Sequence, residues 1–549
     1  MLRREFLSTF SFVVATAASG RGVGQPDQTT KSILDYGAKP DGKGMNTSSI
    51  QRAIDETFHS GGGWVHVPAG KFLTGRIDLK SRVGLYLEEG CTLLGSKSLE
   101  DYQGATGSAD SHQRHLIYAR DAEEVGLAGP GQIDGQGPSF WETSNRNPLA
   151  PEDEWADVAS HAYEEKRGGR PSPMIRFANC RQVHVEGVQL VNSAGWTLHL
   201  LNCDDVQIAN MSIKNTVYGP NTDGIDITGC QNVQVTGCTI QTGDDAICLK
   251  SENPLGPEPR LIKNVVVTNC TLTTCCNAFK LGTSSEGGFE NISFTNSVIH
   301  NDAVSLGQRV ISGVALEVID GGWIDGVTVN GITMQRTRTP VFIRLGNRKR
   351  VHNYSQHGLR NVNIDNIQTT ESVLASSITG LHGDEVRDVT LSNIRIDNVL
   401  PSRPEWVGSE VPEKESAYAE ARMFGMLPVS GLYVRHARGI HLDRLAIRTT
   451  QGEARPTVMF DDVDGAQITA LASTPLSGKQ PVVMLSNARN VSISQSVAPA
   501  GIGTFVGVSG SESEGISLSG DDLRGAREAV ALAHDVSPQA VTLSGNTTR

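Results

Sequence analysis

The sequence predicts an all-β protein, a single-stranded parallel β-helix with an N-terminal capping helix. Short β-branched segments recur along the 549 residues, without long helical patterns between them. Each unit is like residues 232–240, where two short alternating strands are separated by a small turn. The last four repeats are spaced by 26, 25, 25 and 25 residues, a regularity typical of a β-solenoid. The repeats begin at Val125, Val183, Val206, Val233, Val265, Ile292, Val327, Val362, Val389, Ile440, Ala466, Val491, Ile516 and Val541.

The alternation within each repeat indicates which side chains point inward. Val233 and Val235 should face the core and Gln234 the solvent, because successive side chains of a strand point to opposite faces. A series of sandwich domains is the alternative, but antiparallel hairpins would need more Asn-Gly or Asp-Gly turns than the chain contains. We therefore expect one parallel β-helix over residues 30–549.

The capping helix is predicted at residues 46–57, where Ile50, Ala53 and Ile54 share one face. A helix there would cover the open end of the solenoid, which otherwise exposes core and strand edges. Two insertions, near residues 138–173 and 401–428, interrupt the repeat. Long insertions on a rigid scaffold often form the walls of binding sites.

Composition limits the partners of the protein. The chain carries 48 basic and 60 acidic residues, a net charge of −12, which excludes a broad electrostatic footprint on nucleic acid or on an anionic membrane surface. The sequence also lacks an apolar stretch of the roughly 20 residues needed to span a bilayer. We expect a monomer. The nine cysteines show no zinc-ligand spacing with histidines and are expected to be free, mostly buried thiols.

The N-terminus predicts export. Arg3 and Arg4 precede Phe6 and Leu7, and an apolar run over residues 9–18 is followed by small residues. This order is typical of a signal peptide, here assigned to residues 1–25, and the paired arginines favour a twin-arginine signal. An unprocessed terminus is the alternative. The mature protein is expected in the periplasm or the medium.

Three aspartates are the candidate catalytic residues: Asp223, Asp244 and Asp245. Aligning the inward pair Ile225 and Ile227 with the equivalent pair one turn later places Asp223 beside Asp245, 22 residues further on. Neighbouring parallel strands lie about 4.8 Å apart, so the carboxylates should share one surface patch. A general acid with a raised pKa and a carboxylate that activates water are the requirements of an inverting glycosidase. The alternative is that these aspartates bond to their own turns.

The same residues carry a family resemblance. Residues 221–224 and 243–245 resemble two of the four signature motifs of the polygalacturonase family, glycoside hydrolase family 28, and residues 35–42, 70–76, 133–137, 196–199 and 424–428 are similar to its bacterial members. The resemblance implies a right-handed parallel β-helix, the pectin-lyase-like solenoid, and an inverting hydrolase of pectic polymers. It also implies that Asp244 is the general acid and that Asp223 and Asp245 position and activate the water.

The sequence departs from the other two family motifs. Asn277 stands in place of the histidine of Gly-His-Gly, and residues 315–317, which end in Glu317, stand in place of Arg-Ile-Lys. In the family, Arg-Ile-Lys normally binds the carboxylate of a uronate sugar. Its absence here disfavours an ordinary endo-acting polygalacturonase. Some relatives that act on rhamnogalacturonan-type or decorated pectin also lack the histidine.

Other cationic side chains could bind the substrate carboxylate in place of the missing Arg-Ile-Lys motif. Matching inward residues places Asp226, Cys248, Lys280, Glu317 and Arg344 in one outward column, and we expect Lys280 and Arg344 to bind a substrate carboxylate. The alternative is a structural ladder of opposite charges, Lys280–Glu317–Arg344, since such cross-strand pairs are worth about 0.2–1 kcal/mol each.

Three further side chains complete the predicted site. Asn221, Asn277 and His199 are candidate substrate contacts, although for His199 the structural alternative, a histidine that satisfies neighbouring polar groups, is favoured. The function predicted is an exported inverting hydrolase of galacturonosyl-type linkages in pectic polysaccharide, either exo-acting or directed at rhamnogalacturonan. A β-helix polysaccharide lyase that uses Ca²⁺ and a glycan-binding β-helix without activity are the alternatives. No cofactor and no metal ion are expected.

Overall fold

The computed structural model describes residues 30–103, 114–144, 163–303, 308–350, 356–400, 402–450 and 452–549. Thirty-nine strands in these ranges are linked by parallel pairing, each strand to its counterpart one coil later. The predicted right-handed parallel β-helix is confirmed. The predicted signal peptide, residues 1–25, lies outside the described residues.

Each coil contributes strands to three parallel sheets, named here in the order in which a coil enters them. The first sheet contains Ile77–Leu79, Ile117–Arg120, Ile175–Ala178, Leu198–Leu201, Ile225–Thr228, Ile247–Ser251, Asn277–Ser285, Val310–Val318, Thr337–Leu345, Ser376–Thr379, Val483–Ser486, Ile502–Ser509 and Ala526–Leu532. The second contains Lys31–Ser32, Gly63–Val67, Val83–Leu87, Glu123–Ala128, Arg181–Glu186, Asp204–Ala209, Gln231–Thr236, Ile262–Thr268, Arg489–Ser494, Ile516–Ser519 and Val541–Ser544. The third contains Asp41–Met45, Gly70–Thr74, Cys91–Gly95, Gln132–Asp134, Gln189–Val191, Ser212–Lys214, Thr239–Thr242, Thr271–Thr274 and Ala472–Ser473.

Longer strands bend from one sheet into the next. Four strands span the second and third sheets: Gly288–His300, Trp323–Gln335, Gly358–Ser372 and Val386–Asn398. One strand, Val458–Thr469, spans the first and second sheets. One strand, Leu432–Thr449, runs through all three.

Single residues in the left-handed conformation form many of the corners between sheets. Asn232 and Asn264 each have φ of 56° and stand directly before the β-branched inward residues of two second-sheet strands. Asparagine tolerates positive φ better than most residues. Its side chain also bonds to the same corner one coil away: Asn232 Nδ2 donates to Asp205 at 3.0 Å, and Asn264 Nδ2 donates to Asn232 at 2.9 Å. The polar residue before each β-branched segment therefore has a structural cause.

The predicted repeat is the second sheet. Val183 pairs with Val206, Val206 with Val233 and Val233 with Val265, and the later repeat starts pair in the same way through Val541. Val235 is buried and Gln234 exposed, as predicted. One hydrophobic cluster runs through the inside of the coils from Ile33 to Ala540.

The N-terminal helix is present at Thr47–His59, and its predicted apolar face, Ile50, Ala53 and Ile54, is fully buried in the core cluster. The nine cysteines are free and eight of them are buried, as predicted. No helix among the described residues is long and apolar enough to cross a membrane. Short 3-10 helices occur at Ile33–Tyr36, Leu99–Tyr102, Gly137–Phe140, Pro404–Trp406 and Pro538–Ala540.

Both predicted insertions lie in the connection from the third sheet to the first. The first insertion contains a small antiparallel pair, Trp141–Thr143 with Tyr163–Glu165, and residues 145–162 lie outside the described chain. Buried tryptophans anchor both insertions: Trp141 Nε1 donates to the Ala194 carbonyl at 2.8 Å, and the guanidinium of Arg455 lies 5.2 Å from the ring of Trp406. These two rings are therefore unavailable for stacking on a sugar.

Truncation of an inward side chain should destabilise the coil. We expect Ile227→Ala to lower the free energy of unfolding by about 2–5 kcal/mol, because it leaves a cavity in a close-packed core. Gln234→Ala, an exposed position, should change it by less than about 0.5 kcal/mol. Thermal and denaturant unfolding followed by circular dichroism would measure both, and equal losses would contradict the assigned inward and outward faces.

Candidate active site

The three aspartates lie in the turns that lead from the third sheet into the first. Ile225 pairs with Ile247, and the Gly224 amide donates to the Asp245 carbonyl at 2.9 Å. Asp223 and Asp245 therefore occupy equivalent positions on neighbouring coils, as predicted. The coil spacing of about 4.8 Å brings both carboxylates to one patch at the edge of the first sheet.

Asp223 is buried, with 4% of its surface exposed. Burial raises its pKa well above the ordinary value, and the charges of Asp244 and Asp226 raise it further, while Lys250 acts in the opposite direction. The Lys250 ammonium lies 4.0 Å from the Asp223 carboxylate. The aspartate cluster therefore retains a proton at a pH where an isolated aspartate would have lost it.

Asp244 is half-buried and is the most accessible of the three carboxylates. Its Oδ1 accepts a hydrogen bond from the Asp245 amide at 2.9 Å, and its Oδ2 accepts one from Asn221 Nδ2 at 3.3 Å. The hydroxyls of Thr242 and Thr274 both donate to the Asp244 carbonyl, at 2.7 and 2.6 Å. Asp244 Oδ1 therefore bonds to its own turn, as the structural alternative predicts. Asp244 Oδ2 instead meets the side chain of Asn221.

Asp245 is buried and held from three directions. Its Oδ1 accepts from the Asn277 amide at 3.2 Å and from Asn277 Nδ2 at 2.7 Å. Its Oδ2 lies 3.2 Å from the Lys280 ammonium. Two donors and one cation fix the position of the carboxylate, so Asn277 orients a catalytic candidate instead of standing free to meet a ligand.

Lys250 belongs to the site and was missed by sequence analysis. Its ammonium forms an ion pair with Asp226 and lies 4.5 Å from the centre of the Trp196 ring. Burial alone would lower the pKa of Lys250, but the charges of Asp226, Asp223 and other nearby acidic groups together outweigh it, and the pKa lies well above its ordinary value. Burial also raises the pKa of Asp226 to about 6, against the effect of Lys250. The missed signal was the register of Lys250 with Thr228, which puts it one outward position beyond Asp226.

The predicted outward column is correct only as far as Lys280. Asp226 pairs with Cys248 and Cys248 with Lys280, but Lys280 then pairs with Ala315, not with Glu317. The strand Val310–Val318 has apolar residues at every second position around Leu316, so its inward pattern fits two registers that differ by two residues. Matching the inward residues from sequence placed Glu317 beside Lys280, which is the wrong register of the two.

Arg344 does not face the site, and its prediction as a carboxylate-binding residue is wrong. It pairs in register with Glu317 and is 1% exposed. Its guanidinium donates to the carbonyls of Gly380, Glu413 and Lys414 at 3.1, 2.9 and 3.2 Å. Arg344 thus binds the backbone of the second insertion to the coil.

Of the alternative charge ladder Lys280–Glu317–Arg344, the pair Lys280–Glu317 is present in the structure. The Lys280 ammonium lies 3.9 Å from the Glu317 carboxylate and donates to the Tyr418 hydroxyl at 3.3 Å. Burial alone would lower the pKa of Lys280, but the charges of Asp245 and Glu317 outweigh it and hold the pKa well above its ordinary value. The cation is therefore neutralised by carboxylates of the protein itself, and Tyr418 brings the second insertion over it.

His199 is buried beside the site. Its Nε2 lies 3.0 Å from the Thr228 hydroxyl, and its ring meets the Trp196 ring edge-on at 5.1 Å between centroids. It pairs in register with Asp226. His199 thus packs against Trp196 of its own coil and occupies the position one coil before Asp226, which favours the structural alternative for His199 over a direct contact with a ligand.

Asn221 completes the cluster on the solvent side. It is exposed, its φ is 47°, and its Oδ1 accepts from Arg170 Nη2 at 3.0 Å. Arg170 comes from the first insertion and also donates to the Pro220 carbonyl at 2.5 Å. Residues from both insertions therefore flank the aspartates, one beside Asp244 and one beside Lys280.

Comparison with known proteins assigns the family. The family model described as glycosyl hydrolases family 28 matches residues 63–417, and the chain belongs to this family. It is therefore a glycosidase. The matched region includes all three aspartates and both buried lysines.

The relatives are enzymes of one kind. A probable polygalacturonase of Vitis vinifera is 26% identical over 399 residues, which cover 66% of this chain and 74% of that protein. An exo-poly-alpha-D-galacturonosidase of Dickeya chrysanthemi is 28% identical over 344 residues, 55% of each protein. Among solved structures, an exopolygalacturonase from Thermotoga maritima shares 25% identity and a TM-score of 0.55, covering 68% of this chain and 88% of that one.

The buried acid Glu317 generates a prediction on stability. Burial raises its pKa from 4.5 to about 8; Lys280 opposes the rise, and the charge of Asp245 adds to it. Because the folded state binds this proton more tightly than the unfolded chain, the stability of the wild type should fall as the pH rises from about 4.5 to 8. Glu317→Gln removes this loss, by at most about 1.4 kcal/mol for each pH unit in the window.

Unfolding of the wild type and Glu317→Gln at pH values from 4 to 9 would test this. The difference between their melting temperatures should grow in favour of the variant up to about pH 8 and then level off. Glu258→Gln, a change at an exposed position, is the matched control. Parallel curves for wild type and Glu317→Gln would show that folding does not raise the pKa of Glu317, which contradicts this prediction.

Proposed function

We propose that the protein is an inverting hydrolase of galacturonosyl-type linkages in pectic polysaccharide. The observation that carries this proposal is the group of three aspartates on two adjacent coils, in which the most accessible carboxylate stands beside two buried ones. Asp244 donates the proton to the leaving oxygen. Asp223 and Asp245 position and activate the attacking water.

The division of roles follows from accessibility and charge. Asp223 and Asp244 interact strongly, so the retained proton belongs to the pair and not to one residue. Asp244 is the half-buried member and is the one that reaches a glycosidic oxygen. Lys280 and Asn277 bind the carboxylate of Asp245 and hold it in position as the base. Lys250, 4.0 Å from Asp223, stabilises that carboxylate when its proton has been transferred.

The substrate class is supported by the relatives and refined by the local charges. The named relatives are polygalacturonases and an exo-galacturonosidase. This chain has Ala315 and Glu317 in the place of the family's cationic motif, and Arg344 is turned toward the protein. These features favour exo action or a rhamnogalacturonan-type substrate over endo cleavage of plain polygalacturonate.

A panel of pectic oligosaccharides tests the function directly. Homogalacturonan and rhamnogalacturonan oligomers would be incubated with the protein, and products would be resolved by chromatography. A new saturated reducing end on either substrate supports the proposal. An unsaturated product absorbing in the ultraviolet would instead identify a lyase, and binding without turnover would identify a glycan-binding protein.

Removal of the proposed acid should abolish turnover. Asp244→Asn keeps the shape of the side chain but cannot donate a proton, so kcat should fall by at least about 10²–10⁴-fold. Asp535→Asn, at an exposed position far along the solenoid, is the matched control and should retain wild-type activity. Near-normal turnover by a folded Asp244→Asn protein would overturn the assignment.

The stereochemistry of the product tests the water-activating role. Oxygens of Asp244 and Asp245 lie within 4.8 Å of one another, which is shorter than the roughly 6.5–9.5 Å between carboxyls typical of inverting glycosidases with two carboxylates. We assign inversion to a water held by Asp223 and Asp245 together. Proton NMR of the first product should show the inverted anomer. A retained anomer, or a glycosyl adduct trapped on an aspartate, would identify a nucleophile instead.

A further inference from the structure

We propose that His382, His436 and Asp462 form a binding site for a divalent transition-metal ion of the Zn²⁺ type, separate from the aspartate cluster. One ligand comes from each of three successive coils, next to the first-sheet strands of those coils. The site lies five to seven coils beyond Asp223, roughly 25–35 Å away at about 4.8 Å per coil. The inference does not depend on the proposed hydrolase chemistry.

The donor atoms already converge. Nδ1 of His436 lies 2.7 Å from Oδ2 of Asp462, and Nδ1 of His382 lies 3.7 Å from the same oxygen. All three donor atoms lie within 4.8 Å of one another. With metal–ligand bonds of about 2.0–2.2 Å, ligands of a tetrahedral ion are roughly 3.4 Å apart, so small side-chain rotations suffice to place an ion between them.

The surroundings orient these donors as an outer shell would. Nε2 of His436 lies 3.4 Å from the Glu413 carboxylate, and Arg435 binds the same carboxylate at 2.9 Å. A ligating histidine commonly donates its second ring N–H to a carboxylate in this way. Arg489 lies 3.3 Å from Oδ1 of Asp462, which leaves Oδ2 directed at the two histidines.

Two imidazoles and one carboxylate select the class of ion. This donor set suits Zn²⁺, Ni²⁺ or Cu²⁺ better than Mg²⁺ or Ca²⁺, which prefer oxygen ligands. The cluster borders a groove of about 650 Å³ that Glu385 and Glu512 also line. Three protein ligands leave at least one position for water, and the side chain of His382 is 89% exposed, so an ion can enter without opening the fold.

The site would fasten the second insertion to the coils. Glu413 belongs to that insertion, and its carbonyl and that of Lys414 accept hydrogen bonds from Arg344. Five residues further, Tyr418 contacts Lys280 beside the aspartates. An ion at His436 would strengthen the His436–Glu413 contact by polarising the imidazole N–H. The metal is therefore expected to stabilise the insertion as well as the coils.

Zinc binding by the tag-free full chain tests the proposal. Competition with a chromogenic chelator should show one Zn²⁺ ion that His382→Ala and Asp462→Asn no longer bind. Glu413→Gln, which leaves the three ligands in place but removes the carboxylate beside His436 and Arg435, should weaken affinity about 10–100-fold. His441→Ala is the matched control, because His441 lies in the same long strand as His436 but outside the cluster, and its partner is Gln467 of the next strand.

Thermal unfolding gives a second readout that does not depend on counting ions. Zinc should raise the melting temperature of the wild type and of His441→Ala, since a ligand that binds only the folded state stabilises it. It should leave His382→Ala unchanged. Because His382 is exposed, this variant keeps the native fold in the absence of metal. Equal zinc stoichiometry, or an equal zinc-induced shift, in wild type and His382→Ala would overturn the proposal, as would a wild type that binds no zinc.

Discussion

Parallel, in-register pairing of successive coils is the constraint on which the rest of this structure depends. Each residue meets its counterpart one coil away at about 4.8 Å, so like positions repeat as columns. Apolar columns form the continuous core from Ile33 to Ala540. A column of buried charged residues is stable only where opposite charges alternate along it, or where a lysine from a neighbouring position forms an ion pair with the carboxylate. A buried unpaired charge costs several kcal/mol. Asp226 with Lys250, and Asp245 with Lys280, satisfy this condition.

The chemistry of the site is a product of that pairing. Lys250 and Lys280 belong to consecutive coils and each faces a different group of carboxylates. Lys250 forms an ion pair with Asp226 and Lys280 forms one with Asp245, while burial and neighbouring charges raise the pKa of Asp223. The difference arises from position and not from residue type, since all are aspartates within one patch. Asn277 contributes two donors to the Asp245 carboxylate, so an amide side chain orients this group.

The fold and the aspartate cluster could be predicted because both depend on local periodicity. The repeat starts from Val125 to Val541 are partners in one sheet, and the two-residue alternation fixes their faces. The same periodicity explains the failure at Glu317, since a shift of two residues preserves every inward position. Arg344 was outward by pattern, but carbonyls of an insertion about 70 residues away determine its direction. Such contacts leave no trace in local sequence.

The connection from the third sheet to the first has a consequence for how such proteins diversify. Both insertions, the turns that carry the three aspartates, and the contacts of Tyr418 and Arg170 lie along this one edge, while many of the other corners are single left-handed residues. Loop-closure entropy grows only slowly with length, so this edge can be lengthened or exchanged while every ladder of the core stays in register. New specificities can therefore evolve, or be engineered, by grafting segments at one seam of the solenoid without redesigning its interior.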